Sequence, residues 1–287
     1  VGGVFHKGLS LFYSGTKPGD VLEAAEAYID LLLKDVSTKL VNPADLEYYQ
    51  VLVMSMLNAY MVFYKRDQKG VKDTLVEQPF KIIFDTGVHK VPLVAVVDLL
   101  TKGFVRGSRK VWVCHEHKTG SALYQSSIDR LPMDFQICIY PAIVSRCLGE
   151  PLHSIWYNVC VKPRIRIKQN ETKLEFHERL VQVMLDRPES YFFREEVLFD
   201  KRAETRTLND LALIVDEMFM YHEVLDDEEI RDADHWYRNS RACFNYNKQC
   251  PFYRLCRYGE TLGELKMFGQ RKEMVYEDLI EEKASSD

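Results

Sequence analysis

Two stretches of β-forming residues in this chain end in charge. They are Val94-Ala95-Val96-Val97-Asp98 and Val111-Trp112-Val113-Cys114-His115-Glu116-His117-Lys118. A carboxylate inside a buried strand is costly unless it is paired or bound to a cation. Strand alternation places Glu116 and Lys118 on one face and His115 and His117 on the other, so the two histidine side chains are not counted as ligands. With Asp98 on the neighbouring strand, two acids and one base make a compact site for a hard cation, Mg²⁺ or Mn²⁺. Such a cation acidifies water and neutralises charge on a phosphodiester under attack, while a lysine beside it orients or deprotonates that water. An Asp followed by Glu-x-Lys is common by chance, so its surroundings must carry the argument.

Those surroundings change period along the chain. The first third reads as helix: Val4 to Tyr13 has an apolar face, Asp20 can cap a second helix, and Asn42-Pro43 can start a long third one. Glu77 to Phe84, Val91 to Leu100 and Lys110 to Glu116 read as an antiparallel meander, with turns at Asp85-Thr86-Gly87 and Gly103 to Gly107. A helix from Met133 to Leu148 and a strand from Ser154 to Val161 follow. Beyond them come a helix at Leu174 to Leu185, a strand at Phe192 to Phe199 and a helix at Leu208 to Val224. The expected fold is α+β, a mixed central sheet flanked by helices behind an N-terminal helical region. The expected organisation is a helical part at 1–72, a core at 73–230, a cysteine-containing segment at 231–268 and a frayed acidic tail at 269–287.

A net charge of −5 removes the simplest argument for a nucleic-acid partner. Local basic stretches still permit one. Lys102 to Lys110, with Arg106 and Arg109, and Lys162 to Lys168, with Lys162, Arg164 and Arg166, are the candidate DNA tracks. Each is equally well read as a solvated basic face. No apolar run has the ~18 residues of a membrane span, and no signal peptide is visible, so a cytoplasmic setting is expected. The sequence begins at Val1 without an initiator Met, and further residues are expected upstream.

The ordered blocks resemble the PD-(D/E)XK nuclease superfamily, and within it the RecB-like branch of phage and CRISPR-adaptation exonucleases. The resemblance runs from Gly2 and His6, in the branch's G-x-x-x-H helix, through the strand ending at Asp98. It continues with Glu116 and Lys118, trailed by Thr119-Gly120, to Gln136 and Tyr140 in its Q-x-x-x-Y helix. One departure is Ala95, where the branch usually has Gly before the strand Asp. The resemblance implies a restriction-endonuclease-like core. It implies a metal held by His6, Asp98, Glu116 and the backbone carbonyl of His117. Lys118 would act on the water, and Gln136 and Tyr140 would contact substrate or steady Lys118. The implied activity is metal-dependent DNA hydrolysis, from an end, in recombination, repair or phage replication. The implied setting is a bacterial or phage-infected cell, with a helicase or recombination partner.

Seven cysteines are present. Cys114, Cys138, Cys147 and Cys160 lie in apolar runs and read as small buried hydrophobes. Cys243, Cys250 and Cys256 crowd one segment, with Pro251 after the second. They resemble the C-terminal part of an iron–sulfur staple of RecB-like nucleases, whose fourth cysteine precedes the first helix. That implies a [4Fe–4S] cluster in the full-length protein. Zinc and three reduced thiols are the alternatives.

Each candidate also has a plainer reading. His6 alone is an ordinary histidine on an amphipathic helix, Gln136 a solvent-facing residue and Tyr140 core, while Glu77, on the preceding strand, is either an extra acid near the site or a salt-bridged surface acid. The competing functions are a catalytically silent nuclease fold that binds DNA or a partner helicase, and a structural metal protein built on the cysteines.

Overall fold

The computed structural model describes residues 1–35, 43–67, 73–106, 109–226, 243, 249–250 and 252–258. The expected tail at 269–287 and the Asn42 cap lie outside them. The chain divides into two compact units, Val1–Asp216 and Glu217–Asp287.

The first unit opens with α1 (Gly2–Tyr13), α2 (Pro18–Asp35) and α3 (Pro43–Phe63). α2 begins at Pro18, so Asp20 stands in its first turn and does not cap it. A proline is suited to that first position because its missing N–H would have no helical partner. α1 and α3 pack closely at Gly8, where an added Cβ would come within 2.6 Å of the Leu57 side chain.

Five strands follow in the order β1-β2-β3-β4-β5. β1 (Asp73–Asp85), β2 (Lys90–Arg106) and β3 (Arg109–Gly120) form the expected antiparallel meander. β2 runs through Gly103 with a shift of register there and continues to Arg106, past the expected start of the turn. β4 (Leu152–Val161) is parallel to β3, and β5 (Phe192–Leu198) is antiparallel to β4. Parallel neighbours need a crossover. Here it contains α4 (Gln125–Asp129), a 3-10 turn (Leu131–Met133) and α5 (Phe135–Leu148). α5 starts two residues after Met133 because the Asp134 carboxylate caps it, accepting from the Gln136 and Ile137 amides at 3.0 and 3.3 Å. Gly149 ends it in the left-handed conformation. The remaining helices are α6 (Lys173–Asp186), α7 (Pro188–Tyr191) and α8 (Lys201–Asp226).

Each face of the sheet is covered. Phe5, Leu9, Met56, Tyr60, Phe176 and Leu180 form one core with Leu99 and Cys160. On the opposite face, Ile137, Ile143, Leu211 and Val215 pack against Val97, Leu100, Cys114 and Ile155. Cys114, Cys138 and Cys160 are buried as expected, but Cys147 is exposed. It sits near the end of α5, where its thiol donates to the Lys81 carbonyl of the edge strand β1 at 3.5 Å.

The second unit holds the end of α8 and α9 (Tyr253–Tyr258). Within it the Cys250 amide donates to the Cys243 carbonyl at 2.8 Å, and Cys256 lies in α9. No helix among the described residues is long and apolar enough to cross a membrane.

Candidate active site

The site forms where β2 and β3 part. Their pairing ends at Leu99 opposite His115. Beyond that point β2 pairs only with β1, and β3 continues against β4, with Glu116 opposite Tyr157. Asp98 and Glu116 are the first residues past the fork. β1 is irregular at the same level: Val76 faces Leu99 and Gln78 faces Val97, so the register is unbroken, but Glu77, opposite Asp98, has φ +45°. A left-handed residue there reverses the alternation of the strand. Val76 packs with the α1-side core, whereas Phe80 and Phe84 pack with the α5-side core.

Glu116 is the hub. Its carboxylate is 2% exposed. Lys118 Nζ donates to Oε1, Gln136 Nε2 donates to the same oxygen at 3.1 Å, and the Tyr140 hydroxyl donates to Oε2 at 3.2 Å. Gln136 also donates to the Tyr140 oxygen, so the two side chains brace each other. The helical spacing of Gln136 and Tyr140 places both on the face of α5 that meets the sheet. They bond Glu116, where the resemblance implied that they contact substrate or steady Lys118. Burial first, and then the Asp98 charge, raise the Glu116 pKa; Lys118 and Tyr140 pull it down without cancelling the rise.

Asp98 is held differently. The His117 amide donates to its Oδ2 at 2.8 Å, and His6 Nδ1 lies 3.5 Å from Oδ1. Burial disfavours its charge, but the His6 contact and the His117 amide outweigh that and lower its pKa. His6 is raised in turn: burial opposes its charged form, and Asp98 and Glu116 overcome the penalty. The two carboxylates are thus pushed in opposite directions.

The donor set suits a hard divalent cation. Asp98, Glu116 and the His117 carbonyl supply oxygens, and His6 stands beside Asp98. Among the described residues no three His, Cys, Asp or Glu side chains are gathered into a metal cage. Mg²⁺ needs no such cage, since it commonly takes one or two carboxylates and keeps several waters. A cation here would also relieve the repulsion between the buried Glu116 and the half-buried Asp98.

The His115 and His117 rings lie on the opposite face from Glu116, among Tyr13, Tyr60 and Trp156. Burial lowers both imidazoles, His117 to about 3, so that ring is neutral. Among the described residues neither His117 nitrogen has a hydrogen-bond partner. Glu77, read from the sequence as either an extra acid near the site or a salt-bridged surface position, is exposed and lines a small cavity with His6, Asp98 and His117. The positive φ that turns it there leaves no mark in the local pattern. Tyr157 was missed, because only the β3–β4 register sets it beside Glu116.

The basic stretches separate. The Lys162 amide donates to the Gly120 carbonyl at 2.8 Å, at the end of β3 nearest Lys118, and Arg164 and Arg166 are exposed beyond it. Arg166 lies over the Tyr48 ring. Arg106 and Arg109 face each other at the far end of the β2–β3 hairpin. At about 3.3 Å per residue, the strand carries Arg106 roughly 26 Å from Asp98. Lys102 is engaged by Glu150 at 2.7–2.8 Å. Cys243, Cys250 and Cys256 belong to the second unit.

No curated protein matches the sequence. A family model does: the PD-(D/E)XK nuclease superfamily, over residues 1–257. Its span takes in the fork, the Glu116–Lys118 pair and the α5 residues that brace it, and the chain belongs to the PD-(D/E)XK nuclease superfamily.

Proposed function

We propose that this protein is a divalent-metal-dependent deoxyribonuclease of the RecB-like kind. It degrades DNA from an end in recombination, repair or phage replication, in the cytoplasm and beside a helicase or recombination partner. The observation that carries the reading is the convergence of Lys118, Gln136 and Tyr140 on the buried Glu116 carboxylate, next to Asp98. A structural ion pair would need only one partner. Three donors on one acid hold it in a fixed orientation, as a ligand must be held.

Asp98, Glu116 and the His117 carbonyl would hold the cation, with His6 completing the set from α1. The bound ion supplies an acidified water and neutralises charge on the phosphate. Gln136 and Tyr140 fix the direction of the Glu116 oxygens. Lys118 Nζ keeps its proton, since Glu116 raises its pKa against the effect of burial. It therefore acts as a hydrogen-bond donor that orients water and stabilises the developing negative charge. His6 holds the Asp98 carboxylate against the opposite side.

The test is a time course on end-labelled linear DNA beside a covalently closed circle, with Mg²⁺ and with Mn²⁺. Linear DNA should shorten while the circle persists. Asp98→Ala and Lys118→Ala should each lower the rate by about 10³-fold or more. Undiminished cleavage by both variants would sink the assignment. DNA binding without any metal-dependent product would favour a silent nuclease fold.

A further inference from the structure

The crossover between β3 and α5 is pinned to Glu116 at both ends. Lys118 stands two residues before Gly120, where β3 ends, and Gln136 is the second residue of α5. Both bond the same Glu116 oxygen. The intervening segment therefore arches beside the mouth of the site. It carries large apolar side chains in solvent: Tyr124 is 61% exposed, Met133 83% and Phe135 43%. Single exposed apolar residues need no explanation, but several on one short arch beside a site mark a binding surface.

A cation stands among them. Arg130 is exposed, between Tyr124 and Met133 in sequence, and among the described residues its guanidinium has no hydrogen bond or ion pair, the bonds of this residue being those of its backbone to Ile128 and Met133. It lies close enough to act with Lys118 on the Tyr157 hydroxyl, where burial raises the pKa and the two cations pull it down. On the other side of Gly120 the loop with Lys162, Arg164 and Arg166 begins. Exposed rings on one side and exposed cations on the other are the two halves of a single-strand binding groove. Cations follow the phosphates while bases lie on aromatic faces. An intact duplex keeps its bases stacked inward and offers such rings nothing.

We propose that the β3–α5 crossover is a base-stacking shelf, formed by Tyr124 and Phe135 with Arg130 on the phosphate. The strand delivered to Glu116 and Lys118 is then unpaired: a single-stranded end or tail. This rests on the nuclease reading for the identity of the polymer, but binding can be read without cleavage.

The experiment is equilibrium binding of a fluorescent deoxythymidine oligonucleotide and of a blunt duplex of equal length, with Ca²⁺ in place of Mg²⁺. The wild-type chain should prefer the single strand. Tyr124→Leu combined with Phe135→Leu keeps the surface apolar but removes the rings. That pair should weaken single-strand binding by about tenfold or more and leave the duplex unchanged. Tyr124→Trp with Phe135→Trp should restore it. Arg130→Ala should weaken binding and lower the salt dependence by about one counterion. All of these positions are exposed, so an unchanged Tm would confirm folding.

A wild-type preference for the duplex would overturn the proposal. So would a leucine pair that binds the single strand normally, which is the outcome if the shelf docks a protein instead. A chain that binds through the shelf yet degrades nothing with Mg²⁺ or Mn²⁺ would overturn the nuclease reading and leave this one standing. A chain that cuts while indifferent to the leucine pair would do the reverse.

Discussion

The two faces of β3 bury polar groups in contrasting ways. On one, every contact converges on Glu116, whose two oxygens receive Lys118, Gln136 and Tyr140. On the other, His115 bonds Thr101 at 2.8 Å, while the next ring on that face, His117, has no hydrogen-bond partner at either nitrogen among the described residues. That ring is surrounded by His6, Tyr13, Tyr60 and His115. Behind it Arg194 donates to Asn158 and, at 2.7 Å, to Asp67, and lies over the rings of Tyr64 and Trp156. The Glu116 face spends its polar groups on aiming one carboxylate. The histidine face forms an aromatic wall, and there the backbone of His117 is what serves the site.

This contrast makes the two faces separable by mutation. The largest effect is expected behind the wall. Arg194→Ala leaves Asp67 half-sheltered without its cation and removes packing from Tyr64 and Trp156. Stability should fall by about 3 kcal/mol in denaturant unfolding. A loss below about 1 kcal/mol would mean that water already screens this network.

A smaller and opposite kind of change is expected from Tyr140→Phe. The ring stays in the core and one donor to Glu116 is lost, at about 1 kcal/mol. Cleavage should slow by roughly fivefold to tenfold with little change in Tm. If the slowing exceeded about 10³-fold, the hydroxyl would belong to the chemistry itself and not to the bracing of Glu116.

The smallest effect should come from His117→Phe. The substitution replaces an imidazole without hydrogen-bond partners by an apolar ring among aromatic neighbours, so Tm should hold or rise by a few degrees. The backbone carbonyl and the amide bond to Asp98 are retained, so cleavage should change by less than about twofold. A folded variant that no longer cut would place the ring among the working groups and erase the distinction between the faces.

Much of the site was readable without tertiary information. Alternation alone puts Glu116 and Lys118 on one face and His115 and His117 on the other, and the structure agrees. Asp134 before α5 is an ordinary N-cap signal, and it places Gln136 in the first turn. Other features were not readable. Glu77 is an exposed acid on a strand, but the positive φ that sets it beside His6 and Asp98 has no local signal. Cys147 sits in an apolar run, yet it lies against the edge strand β1 and stays exposed. The basic run around Arg106 and Arg109 resembles the one at Lys162 to Arg166, but opposite ends of the sheet receive them.

The amino-acid sequence by itself determined the period of each element, its caps, and the order of the acidic, basic and amide side chains along the chain. These follow from contacts within a few residues. Only the tertiary structure decided that β2 and β3 part between Leu99 and Asp98, and that Gln136 and Tyr140 brace Glu116. It alone carried the Tyr124 to Phe135 arch back to the same carboxylate. Those outcomes depend on strand register and crossover path, which join residues 20 or more positions apart. No local preference specifies such pairings; they are selected by burying both faces of one sheet at once.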